Sequence, residues 1–172
     1  MDLLSLQTVD DEAASLRGAL AEAERRLQGD EELAAARAAL AEIDETVTAL
    51  KREQRRAEDE IASYNARIQP EERRLYDGSV RNPKELASIQ HEVEHLRGRR
   101  SEVEDRLLET IDQLESEESV RSARASAVAA LEARWARDSE HLRSEVTRLN
   151  AAILAADARR EARRASLERH SV

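Results

Sequence analysis

Apolar residues at Leu6, Val9, Ala13, Leu16, Leu20, Ala23 and Leu27 recur at alternating spacings of three and four. That spacing puts one stripe along a helix and suits a coiled-coil seam. A second run, Leu40, Ile43, Val47, Leu50, Gln54, Ala57, Ile61, Tyr64 and Ile68, keeps the alternation but starts one residue short of two heptads after Leu27. One lost residue turns the stripe by about 100°, more than gentle supercoiling absorbs. Gly29 suits a helix C-cap and Asp30 an N-cap, so the chain is expected to break or kink there. A third run passes through Leu86, Ile89, Val93, Leu96, Arg100, Val103, Leu107, Ile111 and Leu114. After an Ala-rich stretch it resumes at Val128, Leu131, Trp135, Leu142, Leu149 and Ile153.

Between the second and third runs lies Tyr76-Asp77-Gly78-Ser79-Val80-Arg81-Asn82-Pro83-Lys84-Glu85. Asn82 as N-cap, Pro83 at the first helical position and Glu85 three residues after the cap form a helix-start signal, each presetting φ or satisfying an orphan backbone donor. The pattern therefore predicts an all-α fold, a long antiparallel coiled-coil helical hairpin with a short, kinked-off N-terminal helix. Its parts are an N-terminal helix over 1–28, an ascending helix over 31–76, a tip turn at 77–82, a descending helix over 83–165 and a tail at 166–172. A turn centred near residue 79 sets Leu3 and Leu6 against Leu149 to Ile153 and the Gly29 break against Ser126 to Ala130. It leaves the stretch from Asp157 to Arg164 beyond the N-terminus with nothing to pair with. Gln54 and Arg100 fall in neighbouring seam layers, where polar groups set register at some cost in stability.

Composition narrows the function. Of 172 residues 38% are charged and 2% aromatic, with one Trp, two Tyr and no Phe, so the core is a seam between helices with no enclosed pocket. Cys is absent, which excludes disulfides, thiolate metal sites and cysteine nucleophiles within these residues. No apolar run approaches a membrane span and no secretion signal opens the chain, so a cytoplasmic location is expected. Net charge is −9, made of −8 over residues 1–80, −5 over 81–120 and +4 over 121–172.

One catalytic pattern occurs by letter. His91-Glu92-Val93-Glu94-His95 spells H-E-x-x-H, in which two His one turn apart bind zinc and the Glu activates water. The heptad gives Ile89, Val93 and Leu96 to the seam and leaves both His on the outer face, without the third ligand or cleft a catalytic zinc needs. His141 and His170 are isolated, and Gly18, Gly29, Gly78 and Gly98 are too scattered for a phosphate loop. Trp135 lies on the seam. No catalytic residue, metal ligand or small-molecule substrate is assigned, and the chain reads as a non-enzyme. Arg159, Arg160, Arg163 and Arg164, with Arg169 beyond them, could meet nucleic-acid phosphates, although Asp157, Glu161 and Glu168 interleave with them and no aromatic residue is there to stack on bases.

Arg74-Leu75-Tyr76-Asp77-Gly78-Ser79-Val80-Arg81-Asn82-Pro83-Lys84-Glu85-Leu86 resembles a bacterial family of coiled-coil hairpin proteins that end in a C4 zinc ribbon. The likeness continues through Gln90 to Leu96 and Val103 to Arg106, and the opening from Leu3 to Asp10 is similar too. The resemblance implies a short N-terminal helix, a long helical hairpin and a ribbon made by two pairs of Cys. For some members it implies a chaperone or adaptor role toward the sigma-54 factor of RNA polymerase and flagellar gene expression. With no Cys here, zinc is expected only if the full-length protein carries a ribbon elsewhere, and ribbon-borne nucleic-acid binding does not carry over.

The resulting expectation is a non-enzymatic adaptor, a monomer or weak homo-oligomer, that presents its tip to a protein partner through Tyr76, Val80, Arg81, Asn82, Lys84 and Glu85. The alternatives are nucleic-acid binding through the basic C-terminal end and a passive spacer.

Overall fold

Heptad spacing, rare Gly and Pro and abundant Ala, Leu, Arg and Glu favour long uninterrupted helices, and three such helices make up the chain. The computed structural model describes residues 2–170, except the side chains of Asp2, Leu3, Ser5 and His170. Helix α1 spans Asp2–Arg26, α2 Glu31–Tyr76 and α3 Pro83–His170. The fold is an all-α coiled-coil hairpin, with no strand among the described residues. Helix α3 runs on past the expected stop near residue 165, because nothing from Ala158 to His170 breaks a helix; of the expected tail, residues 171 and 172 lie outside the described residues.

The break falls where the heptad phase slips. The end of α1 tightens, with the Gln28 N–H donating to the Arg25 carbonyl at 3.2 Å, a 3₁₀-type contact common at helix ends. Asp30 then caps α2, its Oδ1 accepting from the Leu33 N–H at 3.0 Å. Inside α2, Pro70 supplies no N–H, so one rung of the ladder is missing close to the turn.

Contacts group the chain into two units, residues up to 37 with those from 126 onward, and residues 38–125. In the second unit α2 and the first half of α3 bury Ile43, Val47, Ile68, Ile89, Val93, Leu96 and Val103. Thr110, buried at 5% exposure, takes the layer expected of Ile111, which is 38% exposed. Strict phase from Val103 through Leu107 selects residue 110, and the Thr hydroxyl is satisfied by the Arg106 carbonyl at 3.0 Å, so phase outweighs hydrophobicity. Gln54 and Arg100 do not meet. Gln54 donates to Glu58 at 3.0 Å, while Arg100 Nη1 reaches Asn65 Oδ1 at 2.7 Å. Arg100 Nε is buried without a hydrogen-bond partner, 3.3 Å from Glu104 Oε1 in ion-pair contact.

In the first unit α1 and the start of α2 pack on the second half of α3. Ala23, Leu142 and Leu149 form a buried cluster joined by Leu16, Leu20, Leu27 and Val146. Leu149 thus belongs to a cluster whose α1 side includes Leu16, Leu20 and Ala23 and not the expected Leu6; Leu3 lies outside the described side chains. The groove at the break is lined by Trp135, Asp138 and Leu142, further along α3 than the expected Ser126 to Ala130. Part of this offset is already present on the α2 side of the break, where Arg37 pairs with Glu132 and Asp30 with Arg134. Non-helical residues advance roughly 3.3 Å each against about 1.5 Å in a helix, so the residues between α1 and α2 add to it.

The same shift gives the basic stretch partners. Arg17 holds Asp157 with bonds of 2.7 and 2.8 Å, Arg159 pairs with Glu12 at 2.9 Å and Arg160 with Asp10 at 2.6 Å. These pairs are about half exposed and contribute about 0–1 kcal/mol each. Truncating one buried seam Leu costs about 2–5 kcal/mol, so the seam dominates stability and the ion pairs tune register.

Candidate functional site

The turn between α2 and α3 is built by local hydrogen bonds. The Asp77 N–H donates to the Arg73 carbonyl at 2.9 Å, and Asp77 Oδ1 accepts from the Ser79 N–H at 2.8 Å, an Asx-type turn. The hydroxyl and backbone N–H of Ser79 hold the Asp77 carboxyl below its ordinary pKa. Gly78 sits at φ 75°, the left-handed region that side chains disfavour. Asn82 Oδ1 accepts from the Lys84 N–H at 3.0 Å, and the Asn82 carbonyl takes the first helical bond from Leu86 at 3.0 Å.

Glu85 makes its contact elsewhere than the capping pattern implied. Its carboxylate accepts from Arg74 Nη2 at 3.0 Å, across the turn, and Arg74 also reaches Glu71 at 3.0 Å. Arg97 on α3 pairs with Glu72 on α2 just below. Leu75, Val80 and Tyr64 pack against the buried cluster of Ile68, Ile89, Val93 and Leu96. Val80, Asn82 and Glu85 thus close the hairpin.

Tyr76 does not take part in that closure. Its side chain is 83% exposed at the end of α2 and borders two shallow grooves of about 330 Å³ each. One is floored by Leu75, Leu86 and Val93 and rimmed by Gln90, Glu94 and Arg97. The other lies between Gln69, Glu72, Arg73 and Arg97. Arg73, Arg81 and Lys84 are exposed. Tyr76, Arg81 and Lys84 thus all face outward at the turn, although Arg81 and Lys84 line neither groove. Arg73 and Arg97 were not anticipated from the sequence; the signal for Arg73 is its i,i+3 spacing from Tyr76 on one helix face.

The chain matches the CT398-like coiled coil hairpin domain over residues 6–170. It belongs to that family. A solved structure from Mycobacterium smegmatis is 24% identical and superposes with a TM-score of 0.59, covering 94% of this chain and 68% of that one; it shows the same fold. No curated protein matches.

Elsewhere in this CT398-like hairpin the remaining candidates are less assembled. His91 and His95 are exposed while Ile89, Val93 and Leu96 are buried, and no group of three metal-ligating side chains occurs among the described residues. Arg159 and Arg160 are engaged by α1, Arg164 lies 3.5 Å from Glu168, and Arg163 has its own interaction. Trp135 is partly buried and lines the open groove of about 560 Å³ at the break, with Arg25, Arg26 and Asp138. No described helix is long and apolar enough to cross a membrane.

Proposed function

We propose that this protein is a non-enzymatic adaptor that binds a protein partner through the tip of its hairpin, with Tyr76, Arg81 and Lys84 as the contact residues. The observation that carries the reading is Tyr76, an aromatic side chain 83% exposed between two grooves in a chain with very few aromatics. Exposed Tyr flanked by Arg is the composition of interface hot spots, where a rigid amphipathic ring gives contact area at small entropic cost. Hairpin closure uses Asn82, Pro83, Glu85 and Val80 and leaves the ring unexplained. Recruitment of a sigma factor or another polymerase-associated protein, implied by the family resemblance, is the finer form of this proposal.

Nucleic-acid binding through Arg159, Arg160, Arg163 and Arg164 is less well supported, since these side chains already serve contacts within the chain. A pull-down from cell extract with wild type and Tyr76→Ala tests the adaptor reading. Tyr76→Ala is expected to lose the partner while keeping its helicity and melting temperature. Full recovery with Tyr76→Ala favours a passive spacer.

A further inference from the structure

The tip carries as many acids as bases, but they are not equally available. From residue 71 to residue 85 the acids are Glu71, Glu72, Asp77 and Glu85 and the bases are Arg73, Arg74, Arg81 and Lys84. Every one of those acids is occupied. Glu71 and Glu85 are held by Arg74 at 3.0 Å, Glu72 by Arg97, and Asp77 by the Ser79 N–H at 2.8 Å. Arg73, Arg81 and Lys84 make no side-chain ion pair or hydrogen bond among the described residues and point into solvent.

From this asymmetry we infer that the tip recognises an acidic segment of a partner protein, one that places an apolar or aromatic side chain beside Tyr76 while its carboxylates meet Arg73, Arg81 and Lys84. The inference rests on the tip reading above and adds the chemistry of the partner. Complementary charge steers encounter and selects partners even where it adds little affinity. The groove floored by Leu75, Leu86 and Val93, about 330 Å³, is roomy enough to admit a large side chain. A nucleic acid fits less well. One Tyr is a poor stacking platform, and three cations within one turn are few for an evenly spaced run of phosphates. An acidic peptide can place its charges at the three cations alone.

Fluorescence anisotropy with the full chain tests this, using short labelled peptides of one length that carry a Leu-Phe pair flanked either by Asp and Glu or by Lys and Arg, and a single-stranded oligonucleotide. The acidic peptide is expected to bind wild type and to lose about tenfold or more in affinity with Arg81→Glu/Lys84→Glu, with the loss shrinking as salt rises. Arg52→Glu/Arg56→Glu, which changes exposed arginines away from the tip, is expected to leave that affinity unchanged. Tighter binding of the basic peptide, oligonucleotide binding that depends on Arg81 and Lys84, or an equal loss in the Arg52/Arg56 variant would overturn the inference. The pull-down separates the two levels. Partner lost with Tyr76→Ala but kept with Arg81→Glu/Lys84→Glu sinks the acidic partner, removes Arg81 and Lys84 from the contact and leaves the tip reading standing on Tyr76; partner kept with both sinks both.

Discussion

Gly78 and Gly98 show how one residue type has opposite meanings in this chain. A Cβ added at either meets nothing within 4 Å, so space does not distinguish them and the backbone does. Gly78 holds φ 75° in the turn, where a side chain collides with its own backbone. Gly98 lies inside α3, where its extra freedom in the unfolded chain weakens the helix. Gly78→Ala is therefore expected to destabilise by about 1 kcal/mol, and Gly98→Ala to stabilise by about 1 kcal/mol, both read from urea unfolding midpoints. Two shifts of the same sign would contradict this account of the turn.

At the scale of the element, the start of α2 depends on the Asp30 cap. Accepting the Leu33 N–H is the largest influence lowering the Asp30 pKa from its ordinary 3.8, with Arg134 adding to it; Arg134 Nη2 lies 3.2 Å from Asp30 Oδ2. A carboxyl with a folded pKa below its unfolded value stabilises fully above the unfolded value, and that contribution is lost as pH falls through the folded pKa. Asp30→Asn keeps a capping acceptor but never carries the charge. Its melting temperature is expected to fall less steeply than that of wild type as pH drops below about 4, followed by circular dichroism. Parallel acid limbs would show that the charge on Asp30 does not act here.

The helices and their interruptions were legible in the sequence because heptad phase and caps are local properties: the slip after Leu27, Asp30 and the Asn82-Pro83 start all mark helix ends. Position along the partner helix was not. A heptad seam fits itself again after any shift of whole heptads. The register of α1 on α3 combines the offset already set in α2–α3 pairs such as Arg37 and Glu132 with the advance through the break, neither of which spacing alone encodes. For the same reason the basic stretch beyond Asp157 looked unpaired, while Arg159 and Arg160 in fact meet Glu12 and Asp10. Thr110 was overlooked because apolar identity pointed to Ile111.

For the whole molecule, fold and function divide along lines of availability. Burial in both units is taken up by the seam, and many charged side chains answer one another across the helices. The tip residues were nameable from sequence, but not which of them face outward, since that depends on Arg74 taking Glu85 and on Val80 turning onto the core. The proposed contact group, Tyr76 with Arg73, Arg81 and Lys84, is one that the turn leaves uncommitted. Site-specific photo-cross-linking in the native cell tests this most directly, with a benzoylphenylalanine placed at Tyr76 and, as a control, at Leu108, an exposed α3 side chain away from the turn at 61% exposure. A discrete protein adduct from position 76 and none from position 108 is the predicted result. No adduct from position 76, or the same adducts from both positions, would contradict the claim that the tip is where this protein makes its contacts.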